Sequence, residues 1–461
     1  MSNDLENLCI YYVIVYNIVE KREVMKYYLL GIKGSGMGTL ANLLHDLGNE
    51  VSGYDDARGY KFTEEGLRKR NIKIYYEPHN LEEGTIVSYS KAMGEDHKEL
   101  LRVKELGFEI KEYRDVIGDL TKQFNTVGVC GTHGKTTTSL LISNIINNTL
   151  GCNYFVGDGS GYGDKKNDIF VIESDEYNKH FLSYFPNIAV MTNIELDHVE
   201  CYDGLEDIIN CFKKFGEKSD LVIACGDDEN IRSIKFSKDK EVIYYGFNEN
   251  NNVVAKNVEL SKDGSNFDVY INGEFYEHFQ LPLYGRHMIL NSLAAIIVSR
   301  RFNIDKEDIK KYISNFVSPK RRFKETKIND AVIIDDYAHH PTEIKVTLES
   351  AKQKYPDKEI VAVFLPNTYS RTEALLDDFV KELSKADKAY IMDILCDREK
   401  QEDYPGISSD LIIDKVKKAE KISNDTAEKL LKHKSSVICF MSCGYISPLI
   451  DKTKELFSQL K

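Results

Sequence analysis

The sequence predicts three consecutive α/β domains, each carrying a largely parallel sheet. Apolar runs of strand length alternate with longer amphipathic segments in three successive series. Two glycine-rich turns stand where a strand gives way to a helix, at residues 31–36 and 128–136. The 461 residues also exceed what one ordinary core organises.

The first series opens at Tyr27. The strand YYLLGI enters the turn Gly31-Ile32-Lys33-Gly34-Ser35-Gly36, followed by the helical MGTLANLLHDLG and the strand EVSGYD. Strand-like runs at 72–76 and 84–88 complete a domain over 25–119. The second series opens at Asn125 with NTVGVCG and the helical TTTSLLISNIINNT. Strands are expected at 169–173, 188–192, 220–224 and 242–245. Residues 253–279 alternate around Asp263-Gly264 and Asn272-Gly273, which predicts hairpins inserted in the domain. Residues 285–301 read as a helix packed against them, closing a domain over 120–319. The third domain, 320–461, has strands at 331–335, 359–364, 389–393 and 436–441.

Residues 1–24 stand apart. Their apolar stretch, 8–19, is too short to span a bilayer, and Asp4 and Glu6 precede it where a signal peptide carries positive charge. Met25 lies directly before the first strand, so residues 1–24 are expected to be an appended or weakly ordered extension.

Composition narrows the function class. A net charge of −13 argues against a general nucleic-acid binder. The nine cysteines include no C-x-x-C pair, so a thiolate zinc site is not expected and a reducing, cytoplasmic setting is.

Chemistry concentrates in a few runs. In Gly128-Val-Cys-Gly131-Thr132-His133-Gly134-Lys135-Thr136, backbone N–H groups and a helix N-terminus can cradle phosphates. Lys135 would then reach the β- and γ-phosphates of a nucleoside triphosphate and Thr136 would hold Mg²⁺. Val129 stands where the usual P-loop has its first glycine, and a plain strand-to-helix turn is the alternative. Glu173 ends an apolar strand and His198 follows the next, so the two could hold a metal near the transferring phosphate. His198 could equally be a loop-orienting hydrogen bonder. The turn at 31–36, with Asp55 ending the next strand, has the geometry for a diphosphate or for structure alone. In Asp335-Asp336-Tyr337-Ala338-His339-His340-Pro341-Thr342-Glu343, polar groups crowd a strand end facing a cleft, and Pro341 suits a helix start. Arg371 can pair with a carboxylate or phosphate, or lie on the surface. Lys320-Arg321-Arg322-Phe323 can be a solvated turn.

In order along the chain stand G-I-K-G-S-G-M, G-T-H-G-K-T-T-T, E-S-D-E-Y, T-N-I-E-L-D-H, G-R-H-M-I-L-N-S-L-A-A, K-R-R-F, D-D-Y-A-H-H-P-T-E and N-T-Y-S-R-T. This series resembles the Mur ligases, and the likeness runs from Met25 almost to the C-terminus. The first and seventh motifs resemble the branch that joins L-alanine to UDP-N-acetylmuramate in peptidoglycan-precursor synthesis. The resemblance implies an N-terminal Rossmann-like UDP-binding domain, a central P-loop ATPase-like domain and a C-terminal Rossmann-like domain on the amino-acid side. It places the UDP-sugar on Gly34, Ser35, Gly36, Met37 and Asp55. ATP falls to Gly131, Thr132, His133, Gly134, Lys135, Thr136 and Thr137, with His287 and Asn291 on the adenine, Arg322 on the phosphates and Asp336 on the ribose. Mg²⁺ falls to Thr136, Glu173 and His198. Tyr337, His339, His340 and Arg371 face the amino acid, and Lys135, Glu173, His198, His340 and Arg371 form the implied catalytic set.

The implied reaction passes through an acyl phosphate on the sugar's carboxylate, which the amine of L-alanine attacks. The implied partners are small molecules, with no nucleic acid and no membrane, and the oligomeric state stays open. Tyr54, Asn367 and Ser442-Cys443-Gly444-Tyr445 depart from the family pattern beside the uridine and amino-acid sites. A related ligase that attaches a preformed peptide to the same sugar, and a non-catalytic nucleotide-sugar binder, are the rival readings.

Overall fold

The computed structural model describes residues 23–61, 63–90, 93–396 and 399–460. Residues 1–22 of the expected extension lie outside that range.

The first sheet holds β1 (Lys26–Leu30), β2 (Glu50–Tyr54), β3 (Lys73–Tyr75), β4 (Thr85–Tyr89) and β5 (Glu109–Glu112). Their order is β3-β2-β1-β4-β5, all parallel. The direction of winding reverses between β1 and β4, so the turn leaving β1 opens at the crevice where doubly wound sheets bind ligands.

The second sheet holds β6 (Asn125–Cys130), β7 (Asn153–Phe155), β8 (Gly161–Tyr162), β9 (Ile169–Glu173), β10 (Ile188–Met191), β11 (Leu221–Cys225) and β12 (Glu241–Gly246). It continues through β13 (Val253–Ser261), β14 (Gly264–Ile271) and β15 (Glu274–Leu281). The order is β15-β14-β13-β12-β11-β10-β6-β9-β7-β8. The predicted hairpins are therefore no separate insert. β13 pairs in parallel with β12, and β14 and β15 extend the same sheet antiparallel.

The third sheet holds β16 (Lys324–Ile328), β17 (Ala331–Asp336), β18 (Ile360–Phe364), β19 (Lys388–Ile391), β20 (Ala419–Lys421) and β21 (Val437–Met441). The order is β16-β17-β21-β18-β19-β20, with β16 antiparallel to β17 and the rest parallel. Its central strands are apolar throughout because helices cover both faces. Along β18, Ile360, Ala362 and Phe364 enter one core while Val361 and Val363 enter the other.

The first two sheets share a core instead. Leu40 and Leu44, from the helix Ser35–Asp46, belong to the same buried cluster as Leu141 and Ile145, from the helix Lys135–Asn147. The third domain meets the second through polar contacts: Gln353 accepts from the Gly285 N–H at 2.8 Å and donates to Gly264 O at 3.0 Å. Among the described residues no helix is long and apolar enough to cross a membrane. All eight described cysteines are free thiols.

Candidate active site

The order β10-β6-β9 sets the site, because it brings the loops leaving three adjacent parallel strands to one edge. The loop after β6 carries residues 131–136, that after β9 carries Glu176, and that after β10 carries residues 192–198. Gly131 has φ +148°, and a β-carbon there would lie 1.8 Å from Thr192 Oγ1. Gly134 caps the helix Lys135–Asn147 at φ +81°, a conformation L side chains avoid. The β10 loop fixes the first from beside it. The Thr192 hydroxyl donates to His133 O at 2.6 Å, and Asn193 Oδ1 accepts the His133 N–H at 2.8 Å.

Lys135 Nζ folds back to Gly131 O at 2.7 Å and pairs with Glu176 at 2.8 Å. Thr136 Oγ1 donates to Glu173 at 3.0 Å, and the same carboxylate accepts the Gly157 N–H at 2.7 Å. His198 Nε2 stands 3.9 Å from Glu176. Burial lowers the Lys135 pKa, but Glu176, Asp175 and Glu173 together outweigh it, so the ammonium is held charged. Burial raises Glu173 and Glu176 despite Lys135. Three carboxylates thus face one cation, an excess of negative oxygen donors that fits a hard divalent ion such as Mg²⁺. The sequence reading missed Glu176. Its signal was a second glutamate three residues beyond Glu173 in E-S-D-E.

Between the second and third domains lies a cavity of about 280 Å³. Of the expected ATP residues, His133, Gly134, Thr137, His287, Asn291, Arg322 and Asp336 line it. Gly131, Thr132, Lys135 and Thr136 do not line it, and the first turn of the helix behind Gly134 carries the last two. Burial, then the Arg322 charge, lowers His287 to about 4, so it presents a neutral ring. Asp336 accepts from the N–H groups of Phe323 at 2.6 Å and Ala338 at 2.9 Å, so it also holds the turn it ends.

The third domain's polar run meets the phosphate loop directly. The ring of His133 lies 4.5 Å from that of His340, between centroids. His133 Nδ1 is 3.3 Å from Glu343 and its Nε2 is 3.5 Å from Glu195. Burial lowers His133, but hydrogen bonding to Glu195 and then Glu343 raises it to about 10. Burial and the neighbouring His133 lower His340 to about 4. Thr342 donates to Glu195 at 2.6 Å. His339 lies 3.0 Å from Glu343, and Tyr337 lies under Arg321 and Arg322. Arg371 is buried, with Nε and Nη2 both on Asp197, at 3.0 and 2.9 Å. Glu195, Asp197 and Glu343 were not singled out from sequence, because each takes a partner from another domain as well as from its own surroundings. Their signal was the clustering of carboxylates just beyond buried strands.

Gly34, Ser35, Gly36, Met37 and Asp55 gather at the first sheet's switch point and do not line the cavity. Asp55 accepts from the N–H groups of Lys33 at 2.9 Å and Ala57 at 3.0 Å. The Thr39 hydroxyl donates to Gly159 O at 3.2 Å, tying this turn to the second domain. Of the departures from pattern, Tyr54 is fully buried and bonds Asp56 at 2.8 Å, Asn367 donates to Leu395 O at 3.1 Å, and Ser442 donates to Leu365 O at 3.0 Å.

Solved structures share this fold. UDP-N-acetylmuramate-alanine ligase MurC from Thermotoga maritima is similar at 25% identity and TM-score 0.76, over 95% of this chain and 100% of that one. The murein peptide ligase from Psychrobacter arcticus follows at 22% identity and TM-score 0.66, over 95% and 99%. MurF ligase from Thermotoga maritima, solved with ADP, has 15% identity and TM-score 0.65, over 96% and 99%. The last two show likeness of fold. The Mur ligase family, catalytic domain, matches residues 26–125, the Mur ligase middle domain 129–299, and the Mur ligase, glutamate ligase domain, 321–440. With those three domains in succession, the chain belongs to the Mur ligase family.

Proposed function

We propose that this ATP-dependent ligase acts in the cytoplasm and joins L-alanine to the carboxylate of UDP-N-acetylmuramate through an acyl phosphate. The observation that carries the reading is the meeting of the phosphate loop with the D-D-Y-A-H-H-P-T-E run around one cavity. Full-length likeness to a UDP-N-acetylmuramate-alanine ligase supports the choice of substrates.

ATP would lie with its base against His287 and Asn291, its ribose near Asp336 and its phosphates on residues 131–137 and Arg322. A neutral His287 can hydrogen-bond a base without the cost of a buried charge. The sugar's diphosphate would sit on Gly34, Ser35, Gly36 and Met37, with Asp55 beside the nucleoside. Lys135 would leave Glu176 for the γ-phosphate as the sugar's carboxylate oxygen attacks phosphorus and the bond to ADP breaks. Mg²⁺ held by Thr136, Glu173 and His198, with Glu176 adjoining, would screen the charge gathered there. The amine of L-alanine then attacks the acyl carbon and phosphate departs with the C–O bonding pair. His340, kept neutral, is fit to take the proton the amine loses. Tyr337, His339 and Arg371 would shape the amino-acid side, Arg371 by holding Asp197 and the loop that bears His198.

The test is phosphate release and product mass with UDP-N-acetylmuramate, ATP, Mg²⁺ and separate L-alanine, glycine, L-serine and an L-alanyl peptide. Fastest turnover with L-alanine, with the mass gain of one alanyl residue, is expected. Preference for the peptide would reassign the chain to a peptide-attaching ligase, and binding without turnover to a non-catalytic relative.

A further inference from the structure

We propose that His133, Glu195 and His340 form a site for a transition-metal ion of the zinc class, bridging the second domain to the third. One ligand atom from each lies within 4.8 Å of the others. This is a different donor set from Thr136, Glu173 and His198, and it needs no assumption about which amino acid the ligase uses.

The spacing suits the ion. His133 Nε2 and His340 Nδ1 each stand 3.5 Å from Glu195 Oε2. A tetrahedral ion with bonds of about 2.0–2.1 Å holds neighbouring ligand atoms ~3.4 Å apart. The two imidazoles would take the ion by exchange: His133 lies between Glu195 and Glu343, and the ion would replace the proton on its Nε2. Both side chains are at least nine-tenths buried. Among the described residues the Nε2 atom of His340 has no hydrogen-bond partner, and that of His133 faces the Glu195 carboxylate at 3.5 Å. His340 Nδ1 receives only a 3.3 Å bond from the Thr342 N–H, which a metal bond would replace. Behind His133, Glu343 lies 3.3 Å from Nδ1, where a carboxylate orients a metal-bound imidazole and strengthens it as a donor. Two imidazoles and one carboxylate select zinc and its neighbours in the first transition row, whereas Mg²⁺ takes oxygen. A fourth position is left for water or an anion.

Because His133 and Glu195 belong to the second domain and His340 to the third, the ion would pin the nucleotide loop against its neighbour and, by occupying His340, hold the chain in a resting state without its proposed base. The test titrates the full chain, free of nucleotide, with Zn²⁺ against a chromophoric chelator, and with Co²⁺ by visible absorption. One equivalent is expected to bind, Co²⁺ giving the intense bands of a tetrahedral site. Glu195→Gln and His340→Ala should each weaken binding about tenfold or more, and His198→Ala should leave it unchanged. Circular dichroism checks that each variant folds. X-ray absorption on the zinc-loaded wild-type chain gives a readout free of any variant, with two imidazoles expected in the ion's shell. No binding by the wild-type chain, a shell with fewer than two imidazoles, or binding lost in His198→Ala but kept in Glu195→Gln and His340→Ala would overturn the proposal.

Discussion

Lys135 and Thr136 are neighbours in one helical turn, yet they meet different carboxylates: the ammonium pairs with Glu176 and the hydroxyl with Glu173. Removing the lysine would strip the bound phosphates of the cation proposed for them. Lys135→Ala is expected to cut ADP release by about a hundredfold or more while leaving affinity for the sugar nucleotide unchanged, as read by coupled assay and calorimetry. Near-normal turnover would remove Lys135 from the mechanism. Gly131 is constrained in a second way. Since a β-carbon there strikes Thr192, Gly131→Ala should lower stability by ~1–3 kcal/mol, measured by denaturant unfolding, and an unchanged midpoint would contradict the packing. At this scale the sequence is legible where the chain itself supplies the pattern, as the glycine-rich run through Gly131, Lys135 and Thr136 does at a strand–helix junction. It was silent on Glu176, Glu195 and Asp197, because a carboxylate's partner three-dimensionally opposite leaves no local pattern. Arg371, which reads as readily as a surface residue, is buried for the same reason: Asp197 waits for it in another domain.

Elements were more legible than sites. Alternation of strand-length and helix-length apolar segments marks each βα repeat, and Pro341 marks the helix Pro341–Lys354, whose N-cap is His340. The short strands β7, β8 and β20 carry too few residues to show a period, so only pairing reveals them. At the far edge of the second sheet, β15 is fastened to the helix Lys306–Ser314 by Glu277, which lies 3.0 Å from Lys310 and 3.3 Å from Lys306. The His278 N–H, then Lys310, hold Glu277 at about 2. A carboxylate lowered on folding stabilises above its unfolded pKa, near 4.3, and loses that contribution as pH falls towards its folded value. Glu277→Gln should therefore lower the melting temperature at pH 7 and converge with the wild type near pH 2. Equal melting temperatures at pH 7 would show the fastening to be idle.

In the whole molecule, polar contacts seat the third domain on the second, beside the ring contact of Tyr284 with Phe323. The buried pair Arg371–Asp197 is foremost among them. Arg371→Ala leaves Asp197 as an uncompensated buried charge, a loss of ~3–5 kcal/mol where the pair stays closed. The domain should instead swing away, seen as a larger radius of gyration in solution scattering. An unchanged radius would mean that other contacts suffice. Sequence foretold three domains but not which two are fused, since that depends on apolar faces meeting across the helices Ser35–Asp46 and Lys135–Asn147. The fusion has a consequence for how such a chain can be cut and recombined. The first two domains form a single cooperative block, while the third closes its own core on both sides and hangs from the segment around Val317, which is 82% exposed. A protease should nick there first and release a C-terminal piece that keeps its shape. By the same logic, that piece is a cassette that carries Arg322 and Asp336 with it: transplanted between relatives, it should change the incoming amino acid while leaving the proposed sugar site on the first domain in place.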